Sequence, residues 1–190
     1  MKKGRHSLLI PSSGEFLSNK KISDRLYVWL LQNGEIIEKD IYIDKKMRNA
    51  YKELGVNYRT FYRRIGELVK CGYLIENEYK YKISGEDSEF KRYIYEDIVE
   101  KLYETKIDNI IKVYVFLSSL YSSYGDRAWF NYNSILAAIG YSHERNMKNQ
   151  DKVKVILEKL VELGLIKYSR TYIAGEKYQI KFKLLNVKTR

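Results

Sequence analysis

Two nearly identical apolar pentapeptides, Leu26-Tyr27-Val28-Trp29-Leu30 and Val113-Tyr114-Val115-Phe116-Leu117, stand eighty-seven positions apart in a chain of 190 residues. Further phrases recur in the same order. At the same offset Asp40-Ile41-Tyr42-Ile43-Asp44 falls on Arg127-Ala128-Trp129-Phe130-Asn131. At an offset of 85 the KELG ending at Gly55 falls on the AAIG ending at Gly140, and at 92 the stretch Leu68–Leu74 falls on Leu160–Ile166. Ordered matches of this kind are what duplication of one structural unit leaves behind. The growing offset places the extra residues of the second copy in HERNMKN, 143–149.

Each copy reads as the same series of elements. Residues 23–33 and 109–123 carry apolar side chains at helical spacing (Leu26 and Leu30; Ile110, Tyr114, Leu117 and Leu120). A short alternating stretch follows, with Ile41/Ile43 in one copy and Ala128/Phe130 in the other. A second helix is expected over 45–54, capped by Asp44, and over 133–139, capped by Asn131 or Asn133. Gly55 and Gly140 suit the left-handed position that ends such helices. The third helix has an apolar stripe of Phe61, Ile65, Leu68 and Val69, matched by Val153, Leu157, Leu160 and Val161. Gly72 and Gly164 stop it. Two strands then follow in each copy, 73–76 with 79–83 and 165–173 with 177–185, with tips at Asn77-Glu78 and Ala174-Gly175-Glu176. Trp29, Trp129 and most tyrosines, among them Tyr27, Tyr79, Tyr81, Tyr114 and Tyr178, fall where aromatic rings pack into a core. SLLIP at 7–11 and RYIYE at 92–96 read as a lead-in strand for each copy, the second followed by a helix. The alternative is one connecting helix through 88–105.

The fold class is mostly α with small β-hairpins, an α+β chain. Its divisions are a first unit over 1–85, an acidic connecting segment over 86–108 that holds the lead-in strand and helix of the second unit, and a second unit over 109–190. Charge follows these divisions. Residues 1–85 hold 17 basic and 10 acidic side chains, residues 86–108 hold 4 and 8, and residues 109–190 hold 14 and 6. Two basic blocks flank an acidic bridge, and the net +11 favours a polyanionic partner.

Helix, short strand, helix, turn, helix and hairpin, in that order, resemble the winged-helix fold, here as two winged helix-turn-helix domains in tandem. GYLIENEYKYKI and GLIKYSRTYIAGEKYQIKF carry that resemblance. VYVFLSSLY, FNYNSILAAIGYS and KVILEKLVELGLIKY look like bacterial plasmid replication initiators and phage replication-organiser proteins. The resemblance implies binding to origin DNA and recruitment of host replication proteins, with Arg59, Thr60 and Arg63 as contacts. A transcriptional repressor or conjugation accessory protein would use the same chemistry. A protein-interaction scaffold of the chromosome-segregation type is the alternative from another class.

With Phe61, Ile65 and Leu68 turned inward, the opposite face of the third helix carries Arg59, Arg63, Glu67 and Lys70, flanked by Thr60 and Tyr62. Arginine there can donate to guanine O6 and N7 or to phosphate. At the matching positions the second copy has Asp151 and Val155. A helix beginning earlier, capped by Ser142, would instead present Glu144, Arg145, Lys148 and Lys152 on or near the outer face, with Asn149 close by; a solvated loop over 143–149 is the competing reading. Lys80 and Lys82 on the first hairpin, and Lys167, Arg170, Lys177, Lys181 and Lys183 on the second, are candidate phosphate contacts, although edge lysines also oppose aggregation. Lys2, Lys3 and Arg5 form a candidate minor-groove arm, and Tyr58 and Tyr62 are candidates for base stacking.

No enzyme constellation is legible. His6 and His143 sit in no metal-binding spacing, no Gly-rich phosphate loop occurs, and Cys71 is alone. The reading is of a non-enzymatic protein with no cofactor and no metal. The apolar runs are far shorter than the roughly 18–20 residues of a membrane helix, and the N-terminus lacks a secretory h-region, so a cytoplasmic location is expected. The chain acts as a monomer or a dimer; its sequence does not choose.

Overall fold

A computed structural model of the chain describes residues 7–37, 40–47, 49–84, 91–141, 147–173 and 177–185. The fold is mixed α+β, with eight α-helices and nine strands among the described residues. The first half runs β1 (Ser7–Pro11), α1 (Gly14–Ser18), α2 (Asp24–Asn33), β2 (Glu35–Ile37), β3 (Asp40–Asp44), α3 (Ala50–Glu53), α4 (Tyr58–Lys70), β4 (Leu74–Glu76) and β5 (Lys80–Ile83). The second runs β6 (Lys91–Tyr95), α5 (Glu96–Glu104), α6 (Ile110–Tyr124), a 3-10 turn (Gly125–Arg127), β7 (Trp129–Phe130), α7 (Tyr132–Ala138), α8 (Met147–Glu162), β8 (Ile166–Ile173) and β9 (Lys177–Leu184). Side-chain caps fix several helix starts. Ser13 accepts from the Phe16 amide, Ser23 from Leu26, and Asn131 with Ser134 closes a capping box on α7.

The two halves share a strand topology. In each, the short strand that follows the long first helix pairs antiparallel with the last strand of the hairpin: Ile43 opposite Tyr81, and Phe130 opposite Ile180. The first half thus forms the order β2-β3-β5-β4 and the second β7-β9-β8. The edge strand β2 has no counterpart among the described residues of the second half, where the 3-10 turn takes its place. The lead-in strands pair with each other instead of with their own halves. β1 and β6 lie antiparallel, from Ser7 opposite Tyr95 to Pro11 opposite Lys91.

The pentapeptides sit at the centre of this arrangement. Leu26 to Leu31 and Ile110 to Val115 are buried on every side of their helices. A helix apolar all round needs partners all round. α2 and α6 meet this by packing on their own half and on each other. Two charged groups are buried at that contact. The Asp24 carboxylate accepts from the Lys112 amide at 3.3 Å, and the Lys112 ammonium donates to the Asn19 carbonyl at 2.9 Å. Burial pushes Lys112 down to about 8 and pushes Asp24 up, each against the attraction of the other.

Several sequence expectations change here. The helix expected over 45–54 is only Ala50–Glu53, and Asp44 does not cap it. The Lys45 amide still donates to Tyr79, extending the sheet, and the Asp44 carboxylate takes the Lys46 amide at 2.6 Å in a local turn. Val161 lies exposed, because the inward stripe of α8 is Val153, Ile156, Leu157 and Leu160. Trp129 is 47% exposed: in β7 it alternates with the buried Ala128 and Phe130 and so points outward. Tyr79, at the first hairpin tip, is 72% exposed and not packed. The Tyr178 side chain and the tip at 174–176 lie outside the described residues. No helix among the described residues is long and apolar enough to cross a membrane.

Candidate nucleic-acid interface

α4 is built to hold one face out. Its N-cap, Asn57, accepts from the Thr60 amide at 2.8 Å, and Phe61, Ile65 and Leu68 are buried. Gly72 turns the chain at its end, with the Tyr73 amide bonded back to the Leu68 carbonyl. Arg59, Arg63 and Lys70 are exposed, and among the described residues none of the three forms an ion pair. Arg59 and Arg63 are four residues apart on one face, where like charges repel by a few tenths of a kcal/mol. An anion laid along the helix would turn that repulsion into attraction. Arg64, half-buried, reaches back to Ser23 at 3.5 Å, and Glu67 pairs with Lys21 at 3.6 Å, so these two charges are engaged within the fold.

Thr60 is half-buried beside the arginines. Tyr62 packs partly against the core, its ring 4.5 Å from that of Tyr58, while Tyr58 itself is exposed. Burial, then the neighbouring Tyr58, pushes the Tyr62 phenol up. Tyr62 therefore supports the surface and Tyr58 is the ring presented by it. Asn57→Ala should loosen this end of α4, costing about 1 kcal/mol. Chemical denaturation checks it; an unchanged midpoint would show that the cap does not hold the helix start.

The structure does not leave the first hairpin's lysines as open phosphate contacts. Lys80 pairs with Glu35 at 3.1 Å and Lys82 with Asp40 at 2.6 Å, so each would have to exchange a carboxylate for a phosphate. In the second half Lys148 and Lys152 are exposed on the first turns of α8 and Asn149 is half-buried. The Lys152 ammonium stands 5.3 Å from the Tyr141 ring. Asp151 and Val155 share the outer surface, Val155 being 52% exposed. Arg170 donates to the Tyr132 hydroxyl, and its guanidinium lies 5.4 Å from that ring. Lys181 is exposed. The backbone of Lys177 pairs with Ile173 at the end of β9; its side chain lies outside the described residues, as do Arg145, His6, His143 and the basic arm Lys2, Lys3 and Arg5.

One exposed residue escaped the sequence reading. Trp129 stands opposite Lys181, and Lys181 opposite Ser169, so an indole, an ammonium and a hydroxyl form one cross-strand row. Next to it Lys167 faces Lys183 directly, a like-charge pair across the ladder. Strict alternation with Ala128 and Phe130 was the signal that would have put Trp129 on this face.

Cys71 is half-buried, accepts from Asn19 at 3.5 Å, and has its thiol pushed up by burial and then by Glu15 and Glu67. That disfavours the thiolate a nucleophile needs. Among the described residues no three His, Cys, Asp or Glu side chains gather as a metal site. The described groups gathered on α4 and on the second hairpin are cationic and aromatic. No protein-family model, curated protein or solved structure matches this chain.

Proposed function

We propose that this protein binds duplex DNA in a sequence-specific way through two winged helix-turn-helix units in tandem, with α4 as the reading helix of the first. The observation that carries this reading is the outer face of α4. Arg59 and Arg63 stand exposed, like-charged and without an ion pair among the described residues, on a helix held by its cap and its buried stripe. The shared strand topology of the halves supports a repeated unit with a hairpin wing beside the third helix. Arg59, Thr60 and Arg63 reach base edges or phosphates, and Lys70 contacts the backbone. Lys148, Asn149, Lys152, Arg170 and Lys181 play the backbone part in the second unit. The most fitting role is that of a replication initiator or organiser of a plasmid or phage, to which the sequence bears its resemblance. A repressor or conjugation accessory protein would have the same interface.

The second reading is a protein-interaction scaffold. It is favoured by α8, where Asp151 and Val155 occupy the surface that arginines occupy on α4. Salt separates the two. A DNA-binding protein loses affinity with a slope of about −0.9 in log K against log salt per phosphate neutralised. Arg59→Ala with Arg63→Ala should weaken binding to an enriched duplex at least about tenfold while leaving the fold intact. Fluorescence anisotropy and circular dichroism read the two results. An affinity unchanged in the double variant, or a salt slope near zero, would reject the DNA reading in favour of the scaffold.

A further inference from the structure

α4 carries a glycine in its third turn that the fold does not ask for. Gly66 is exposed, its backbone is ordinary helix, and a Cβ added there would meet nothing within 4 Å. The second half gives an internal control. At the offset of 92 that aligns the third helices, Glu158 of α8 stands where Gly66 stands, exposed and paired with Lys154 at 3.8 Å. A glycine inside an exposed helix weakens it, because the bare backbone has more freedom to lose on folding. Neither packing nor backbone geometry within the chain offsets that loss. What glycine does provide at a helix surface is room for another molecule to approach the backbone closely.

The neighbours of Gly66 indicate which molecule. Around the helix axis it lies about 20° from Arg59, about 40° from Lys70 and about 60° from Arg63. All three cations are exposed and form no ion pair among the described residues, while Glu67, the one carboxylate of α4, is turned to Lys21. Tyr62, half-buried, borders the glycine on the other side. Bare backbone thus lies at the centre of the face, with cations along one flank and a ring along the other. At the matching positions α8 has Asp151, Val155, Glu158 and Glu162, a surface that repels an anion. Resting on the DNA reading above, we propose that one sugar–phosphate strand of the duplex crosses α4 at Gly66, in van der Waals contact with its Cα. Arg63 and Lys70 hold that strand from one turn on either side. A helix that enters the groove by its N-terminal turn carries its later turns past the groove wall, where the strand runs. Any side chain at position 66 would hold the strand off and lengthen the charge-assisted bonds from both cations, which need about 2.8 Å. Phosphate contacts position a reader, so Gly66 sets how deeply Arg59 and Thr60 sit.

Gly66→Ala in the full chain separates the fold from the interface, because the two should move in opposite directions. Thermal unfolding is expected to show a Tm raised by about 2–4 °C, since alanine is the better helix former and clashes with nothing. Against a duplex enriched from a random pool by the parent protein, the Kd is expected to rise about tenfold. The slope of log K against log salt should become shallower by about 0.9 for each phosphate contact released. A lowered Tm would mean that the fold itself needs the glycine and would overturn the inference. An unchanged Kd, with the parent binding the duplex, would mean that no strand passes Gly66 and would overturn it with the DNA reading intact. A weakened variant that keeps the parent's salt slope would put a base edge at Gly66 instead of a phosphate, and would overturn it too. If the parent binds duplex no tighter at low salt than at high salt, the DNA reading falls and the inference falls with it.

Discussion

Lys112→Met is expected to destabilise the protein by about 3–5 kcal/mol, although methionine is more apolar and nearly as long. Lys112 is wholly buried between the two halves, and its ammonium and the Asp24 carboxylate are the only charged groups buried there among the described residues. Removing the lysine leaves Asp24 with no compensating charge in a desolvated site and the Asn19 carbonyl without its donor. Asp24→Asn combined with Lys112→Met removes both charges, and the double variant should return to within about 1 kcal/mol of the parent or exceed it. Urea denaturation measures all four proteins. A single variant as stable as the parent, or a double variant no better than the single, would show that the pair is not coupled as described.

The same pair sets a pH dependence whose sign follows from the directions of the shifts. Lys112 titrates near 8 in the folded protein and near 10.5 in the unfolded chain. Between those values the unfolded chain binds more protons, so stability rises with pH, as a penalty present below about 8 is lifted. Asp24, raised above 3.8, acts the other way: the folded state keeps its proton longer, and stability falls as pH climbs from 3.8 through its raised folded value. Buried tyrosines limit the alkaline gain. Tyr114, pushed up to about 12 by burial, begins to oppose folding once the unfolded chain's phenols ionise near 10.

What the sequence made legible was local. The stripe Phe61, Ile65 and Leu68 and the stop at Gly72 defined α4, and the alternation of Ile180, Phe182 and Leu184 defined β9. A strand and then a helix after residue 90 were also readable. Register was not. Lys80 and Lys82 lie opposite Asp44 and Tyr42 across the sheet, which brings them to Glu35 and Asp40, and no local pattern announces which residues a strand will face. The same limit hid the pairing of β1 with β6, which a lead-in strand for each copy did not anticipate. Lys112 was overlooked for a different reason. A lysine inside IIKVYVFL reads as a mark of the solvent side, but a helix with apolar residues on every other side has no solvent side. The candidate interface divides likewise. Helix periodicity was enough to turn Arg59 and Arg63 outward, whereas the availability of each hairpin lysine depended on non-local partners.

The join between the halves is also where a single methyl group should do most harm. Gly140, just past the end of α7, has φ +81°, and a Cβ built there meets the Ser18 carbonyl oxygen of α1 at 1.7 Å and its carbon at 2.7 Å. Backbone cannot swing aside as a side-chain tip can. Gly55, its counterpart in the first half, has φ +67° and nothing within 4 Å of the same added atom. The two glycines therefore separate two costs. Gly55→Ala carries only the left-handed strain, about 1 kcal/mol, whereas Gly140→Ala adds the clash and should cost about 3–4 kcal/mol. In thermal unfolding that corresponds to a Tm lowered by roughly 2–4 °C for the first and about 8–12 °C for the second. Equal shifts would mean that α7 does not rest on α1. A large shift confined to Gly140→Ala would establish that close backbone contact between the halves, made at Ser18, contributes to the stability of the whole chain.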